Sequence, residues 1–181
     1  MKNEFESEER IFSLSKITKK DETCPFVRIK DGKPREITIK DLQRDVAKIR
    51  LDASVPEATK KVFTVCKKLY VLGYFYYPFF TVSQHYAFLT LESTMRNKYI
   101  DMFGKDYKWV ERGGFRREEY YRFPKILKGL VGTKVIPKEK EELYDVGGKM
   151  RNLLSHLTKM STLLPSAPIL KRVAEMINAL Y

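Results

Sequence analysis

The stretch GKMRNLLSHLTK, residues 148–159, sets Arg151, Asn152 and His156 among leucines in one helical run. Neutral imidazole is a base and imidazolium an acid, with an unperturbed pKa of about 6.5, so His156 can move protons at neutral pH. Arginine is permanently charged and grips phosphate oxygens with a planar fork. Asparagine orients a neighbour or a phosphate without changing charge. Breaking a phosphodiester needs such parts: a group for the hydroxyl or leaving-group proton, and a cation for charge developing on the phosphate. RNA brings its own nucleophile, the 2′-hydroxyl, so this chemistry calls for no metal and no cofactor. One imidazole does not easily do both proton jobs from one side, whereas two copies across a two-fold axis share them.

The helix that must position these groups has an apolar stripe. At about 100° per residue, Val146, Met150, Leu153, Leu154, Leu157, Met160 and Ser161 gather with the spacing of a core-facing seam. Asn152 and Lys159 fall near the opposite face. His156 lies on one flank with Asp145 and Lys149, and Arg151 lies on the other, from which its side chain has to reach round. His156 stands about a quarter turn from the centre of the stripe, which weighs against a core histidine. Two readings stay open: a solvated polar face with an isolated histidine, and an acid–base group. Gly147 and Gly148 cost about 1 kcal/mol each inside a helix relative to Ala. Either another backbone or a ligand approaches there, or the helix bends, or it begins after them at Lys149.

Around this helix stands a chain of 181 residues, enough for one domain with a sizeable core. Its 43% hydrophobic and 32% charged content is that of a globular protein, and its net charge of +12 favours polyanions, nucleic acid before an anionic membrane. Cys24 and Cys66 are too few for a zinc cluster or a disulfide framework, and Cys66, in an apolar helical stretch, reads as a packed thiol. The opening MKNEFESEERIF has no apolar signal region, and LYVLGYFYYPFFTV (69–82) is too short for a membrane span. The expectation is a soluble cytoplasmic protein with no membrane partner.

Residues 1–22 are polar and charged. FVRIK (26–30), DGKP and REITI (35–39) read as a small β-hairpin, so residues 1–38 form an N-terminal extension and 39–181 a helical domain. Thr38 and Asp41 can cap a helix whose apolar stripe is Leu42, Val46 and Ile49. Ser54, Pro56 and Glu57 start a second helix that runs through VFTVCKKLYVLGYF and stops before Pro78. A third spans 79–103 and ends at Gly104. KDYKWVERGGFRREEYYR (105–122) lacks a regular period and reads as a loop. Pro124 opens a short helix ending near Gly132, Pro137 opens the motif helix to about Leu164, and Pro165 breaks it before a last helix. The fold class is all-α: a bundle of five or six helices with a small N-terminal β-hairpin.

The motif Arg151-Asn152-Leu153-Leu154-Ser155-His156, on a long helix preceded by the short helix of FPKILKGLVGTKVIP (123–137), resembles the HEPN domains. These are small helical bundles with an Arg-x4-6-His motif, often Arg-Asn-x3-His. QHYAFLTLESTMRNKY (84–99) resembles the helix that pairs with the motif helix, and the resemblance covers residues 40–181. It implies a metal-independent endoribonuclease acting as a homodimer, with two motifs facing one cleft and products ending in a 2′,3′-cyclic phosphate. Many members are toxins or defence proteins, so an antitoxin or a defence-system protein is an implied partner beside RNA. Others have lost cleavage and bind RNA or a protein partner, which is the alternative here. A scaffold with an incidental basic face is a weaker third reading. By the resemblance Arg151, Asn152 and His156 are catalytic. Arg96-Asn97 repeats the first half of the motif but has Asp101 where the histidine should be, and reads as helix surface.

His85, Glu92 and Arg96 share one stripe of the 79–103 helix. Glu92 and Arg96 read either as a surface ion pair or as a polar support that orients His156 or Arg151; several HEPN families resemble this in carrying an acidic residue on the matching helix. His85 by itself reads as structural. In the 105–128 segment cations alternate with rings, so Arg112, Arg116 and Arg117 are candidate RNA contacts, with Lys149 and Lys159 on the motif helix. Covering the core is the other use for those rings. YFYYPFF (74–80) reads as core, with dimer burial as the second option.

Overall fold

Thr38 opens the helical part of the molecule. In the computed structural model, which describes residues 18–22, 27–30, 32–155 and 167–181, Thr38 and Asp41 form a reciprocal capping box. The Asp41 N–H donates to Thr38 Oγ1 at 3.3 Å and the Thr38 N–H donates to Asp41 Oδ2 at 3.0 Å. The helix it starts, α1 (Ile39–Ala47), buries Leu42 and Val46, with Ile49 buried just beyond. Before it, β1 (Val27–Lys30) pairs antiparallel with β2 (Lys33–Glu36), Val27 opposite Glu36. The second strand lies earlier than REITI because Thr38 and Ile39 belong to the cap and the helix. Arginines tie the hairpin to α1: Arg35 donates twice to Asp41 at 2.8 Å, and Arg28 twice to Asp45 at 2.6 and 2.7 Å.

Arg35, with the Thr38 hydroxyl and N–H, holds the Asp41 carboxyl well below the usual carboxylate range. A carboxyl whose folded-state pKa is depressed stabilises the fold above its unfolded value, about 3.9, and loses that contribution as the pH falls below it. Asp41→Asn therefore lowers the urea midpoint at pH 7, and the gap to the wild type narrows as the pH drops below about 4.

The second helix, α2 (Glu57–Leu72), begins at Pro56 without a side-chain cap, so Ser54 does not cap it. Three residues before the end of the expected run at Phe75, it ends at Leu72 on the Gly73 cap. There the Phe80 ring lies 2.7 Å from where a Cβ would stand. The long helix α3 (Pro78–Phe103) ends on Gly104, whose φ of 76° is the left-handed cap expected of glycine. It packs against α2 and against three later helices. Two of its buried hydroxyls donate to backbone carbonyls, Ser83 to Cys66 O at 2.7 Å and Thr94 to Thr90 O at 2.7 Å. Cys66 is a fully buried core thiol, pushed up to about 11 by that burial. Of the aromatic run, Tyr77 and Phe80 are core, whereas Tyr76 is exposed.

Residues 105–122, expected as a loop, contain a second hairpin. β3 (Tyr107–Arg112) pairs antiparallel with β4 (Phe115–Tyr120), Arg112 opposite Phe115. Gly113 and Gly114, at φ of 62° and 78°, make the two-residue turn. A Gly-Gly pair between two strand-like runs is a hairpin signal in its own right. Then follow α4 (Phe123–Gly132), a 3₁₀ turn at Lys138–Lys140, α5 (Glu141–Ser155) and α6 (Ala167–Asn178). The expected run of the motif helix beyond Ser155, to Leu164, lies outside the described residues. The described chain is thus mostly helical, six α-helices with two small antiparallel hairpins rather than one. None of these helices is long and apolar enough to cross a membrane.

The orientation of α5 differs from the expected stripe. Its buried residues are Tyr144, Gly147, Gly148 and Leu154, while Val146 and Leu153 are exposed at 46% and 59%. Arg151 falls on the same side as the glycines, three residues before Leu154 and three and four after Gly148 and Gly147. The glycines decide this. A Cβ on Gly148 would stand 2.4–3.0 Å from the Phe123 ring of α4, and one on Gly147 3.2 Å from a Leu91 methyl of α3. Close approach of neighbouring elements is therefore what the two glycines serve, and the helix continues through them rather than beginning at Lys149. Gly148→Ala forces the Phe123 ring out of place, an overpacking cost of about 1–3 kcal/mol, read as a lower urea midpoint. Gly147→Ala, facing a flexible methyl, costs less.

Candidate functional site

The close packing of α5 on α3 sets the described half of the motif beside the polar stripe of α3. Arg151 Nε lies 2.6 Å from Glu92 Oε2, both side chains largely buried at 25% and 18% exposure. Nε is buried and out of line for a hydrogen bond with Glu92, so the contact is Coulombic rather than directed. The other Glu92 oxygen is 3.6 Å from Arg96. Arg96 in turn donates to Asp106 Oδ2 at 2.5 Å and to the Tyr121 carbonyl at 3.3 Å. The four side chains form a row, Arg151–Glu92–Arg96–Asp106, in which each cation faces a carboxylate. Buried charges persist only when paired in this way.

The far end of the row anchors the β3–β4 hairpin. Asp106 and Tyr121 flank its two strands, joined by a 2.7 Å bond from Tyr121 N–H to Asp106 O. The strands project exposed rings and cations: Trp109, Phe115 and Tyr120 are 45%, 79% and 60% exposed. Arg116 sits 4.7 Å above the Trp109 ring. Arg112 and Arg117 are exposed on the opposite face of the ribbon, beside Phe115 and across from the face of Arg116, as strand alternation requires. These three rings do not cover the core, whereas Tyr121 and Phe123 of the same segment pack against it.

At the near end, the Ser155 hydroxyl donates to the Arg151 carbonyl at 2.9 Å, and His85 Nε2 of α3 lies 3.0 Å from the same hydroxyl. With the Ser155 proton so engaged, Nε2–H is the donor and the Nδ1 lone pair stays open. Burial first, and the Arg151 charge second, lower the His85 pKa below its ordinary value, so the ring is neutral at pH 7.

The structure therefore joins Arg151 with Glu92 and, through Glu92, with Arg96. Asn152 is exposed. Lys149 is exposed and paired with Asp145 at 2.7 Å, away from the row. The hairpin arginines Arg112, Arg116 and Arg117 are linked to it only through Asp106 and Tyr121. His156 and Lys159 lie outside the described residues. Three contributors go unassigned by sequence reasoning: Asp106, hidden in a segment taken for a loop; Ser155, an ordinary helix serine; and His85, seventy residues from its partner. The stripe that His85 shares with Glu92 and Arg96 is a signal for the histidine; spacing gives none for Asp106 or Ser155. No protein-family model matches the chain, and no curated protein or solved structure compared with it does either.

Proposed function

We propose that this protein is a metal-independent endoribonuclease of the HEPN type that cuts RNA by attack of a 2′-hydroxyl on the neighbouring phosphate. His156 serves as general acid/base, Arg151 stabilises charge developing on the phosphate oxygens, and Asn152 orients the group. What carries the reading is the Arg151–Glu92 contact at 2.6 Å. It fixes the motif arginine at its Nε end, while the Nη edge of the fork makes no hydrogen bond among the described residues. A phosphate is the ligand that edge suits. Arg112, Arg116, Arg117, Lys149 and Lys159 serve as RNA contacts, with bases stacking on the exposed hairpin rings. Two subunits share the cleft. Exposed Val146 and Leu153 of α5 and Val82, Tyr86 and Leu89 of α3 supply apolar surface for pairing. On this reading the protein is a cytoplasmic toxin or defence effector, restrained or triggered by an antitoxin or a defence-system protein.

The test is digestion of RNA by purified protein in EDTA. His156→Ala is expected to lower the rate by about 10²–10⁴-fold. Equal rates would remove His156 from the mechanism. One observation favours a second reading, a non-catalytic HEPN module: Glu92 already balances the Arg151 charge. That module would leave RNA uncut and bind it in a salt-sensitive way that survives His156→Ala.

A further inference from the structure

We propose that the β3–β4 ribbon sorts RNA by strandedness: its face of Tyr107, Trp109 and Tyr120 seats unpaired bases, while its reverse face of Lys108, Arg112 and Arg117 takes phosphates of any strand. The inference rests on the RNA reading above and deepens it by naming the form of RNA the protein selects. Strand alternation and pairing fix the two faces. Tyr120 stands directly across from Tyr107, and Glu118 from Trp109. On the reverse face Arg117 stands across from Val110, and Phe115 from Arg112. The rings of the first face are continuous: Tyr107 lies 5.7 Å from Trp109, edge to face, and 5.8 Å from Tyr120. Trp109 and Tyr120 are exposed, and so is every residue of β4. Rings held out from the core in this way contribute little to the fold and offer their π-faces to a partner.

The two faces differ in charge as well. On the ring face Arg116 stands opposite Glu111, and Glu118 accepts the Tyr120 hydroxyl proton at 2.9 Å. Charge there is nearly balanced, which suits a neutral base. The reverse face has three cations and one carboxylate, Glu119, 3.8 Å from Lys108. That excess attracts phosphate. A duplex turns its phosphates outward and hides its bases in the stack, so it engages the reverse face alone. Bases in a stacked strand repeat about every 3.4 Å, closer than the ring centres of the first face. Seating bases on those rings therefore requires drawing them apart, which an unpaired strand allows. Arg116 acts as a latch on the platform. Its guanidinium lies 4.7 Å over the Trp109 ring. An arriving base displaces it, and the freed fork takes the phosphate of the same nucleotide.

Trp109 is the chain's single tryptophan, so its fluorescence reports the platform directly. The experiment titrates the full chain with a 2′-O-methyl RNA 20-mer of mixed sequence, single-stranded or annealed to its complement. This RNA has no free 2′-hydroxyl to attack, so binding is read apart from cleavage. The single strand is expected to quench Trp109 and the duplex to leave it unchanged. By anisotropy of the labelled strand, Trp109→Ala and Tyr120→Ala are each expected to weaken single-strand binding by about tenfold or more and to leave duplex binding as it was. Trp109→Phe, which keeps a ring, should bind within a few-fold of the wild type. Arg112→Ala and Arg117→Ala should weaken both forms alike, each lowering the salt slope by about one unit. Equal quenching by duplex and single strand would overturn the proposal. So would a Trp109→Ala protein that binds the single strand as the wild type does, a Trp109→Phe protein as weak as Trp109→Ala, or a wild type that binds neither form at low salt. Failure of the ribonuclease reading shows separately, as RNA left intact in the EDTA digestion, while quenching by the single strand would still uphold the platform.

Discussion

Arg151→Ala is expected to lower RNA cleavage by about 10²–10³-fold while leaving the fold intact. The rate loss is that of removing one preorganised donor from the site of developing charge. The fold survives because Glu92, the carboxylate left behind, still has Arg96 at 3.6 Å. Arg151→Lys restores the charge without the planar fork, and its rate should fall between the two. RNA binding, measured against salt, should lose about one unit of slope in the alanine variant, the signature of one lost phosphate contact. Should the alanine variant cut RNA at the wild-type rate and melt several degrees lower, Arg151 would be a structural partner of Glu92 and nothing more.

The largest effect on stability is expected at Arg96. It holds Asp106, whose side chain is 7% exposed, as well as the Tyr121 carbonyl and one oxygen of Glu92. Arg96→Ala strands the Asp106 carboxylate at the base of the β3–β4 hairpin. Breaking a buried pair costs about 3–5 kcal/mol. Arg96 itself is 29% exposed, so water can reach the vacated side and the expected loss is about 2–4 kcal/mol. Adding Asp106→Asn removes the orphaned charge and should recover part of it, which a double-mutant cycle in urea measures directly. A loss near zero would mean that the hairpin is held by its backbone alone. The same variant should also weaken RNA binding, since Arg112, Arg116 and Arg117 ride on the ribbon that Arg96 anchors.

Local chemistry made parts of the fold legible. Thr38 and Asp41 spell a capping box, Gly104 a helix end, and Pro124 a helix start, because each acts on the backbone within a few residues. The core face of α5 was not legible. Periodicity weights large apolar side chains, and it pointed to Val146 and Leu153, which are exposed. The face that packs is marked instead by what is missing, two Cβ atoms, so that Phe123 and Leu91 can approach. The β3–β4 hairpin was hidden by its own polarity: with β4 exposed at every residue, no apolar alternation appears, and only Gly113-Gly114 marks the turn. At the candidate site, the stripe of His85, Glu92 and Arg96 on one helix could be read from spacing. Its partners could not. Contacts from Arg151 to Glu92 and from Ser155 to His85 depend on how α5 seats on α3, which the two glycines control.

The central claim is that the strand breaks by attack of RNA's own 2′-hydroxyl, without metal. Mass spectrometry of the fragments made by the full chain in EDTA tests it most directly. The account predicts fragments ending in 2′,3′-cyclic phosphate and beginning with 5′-hydroxyl, lost together in the Arg151→Ala and His156→Ala proteins. Fragments that begin with 5′-phosphate, or cleavage that stops in EDTA and returns with a divalent cation, would contradict it.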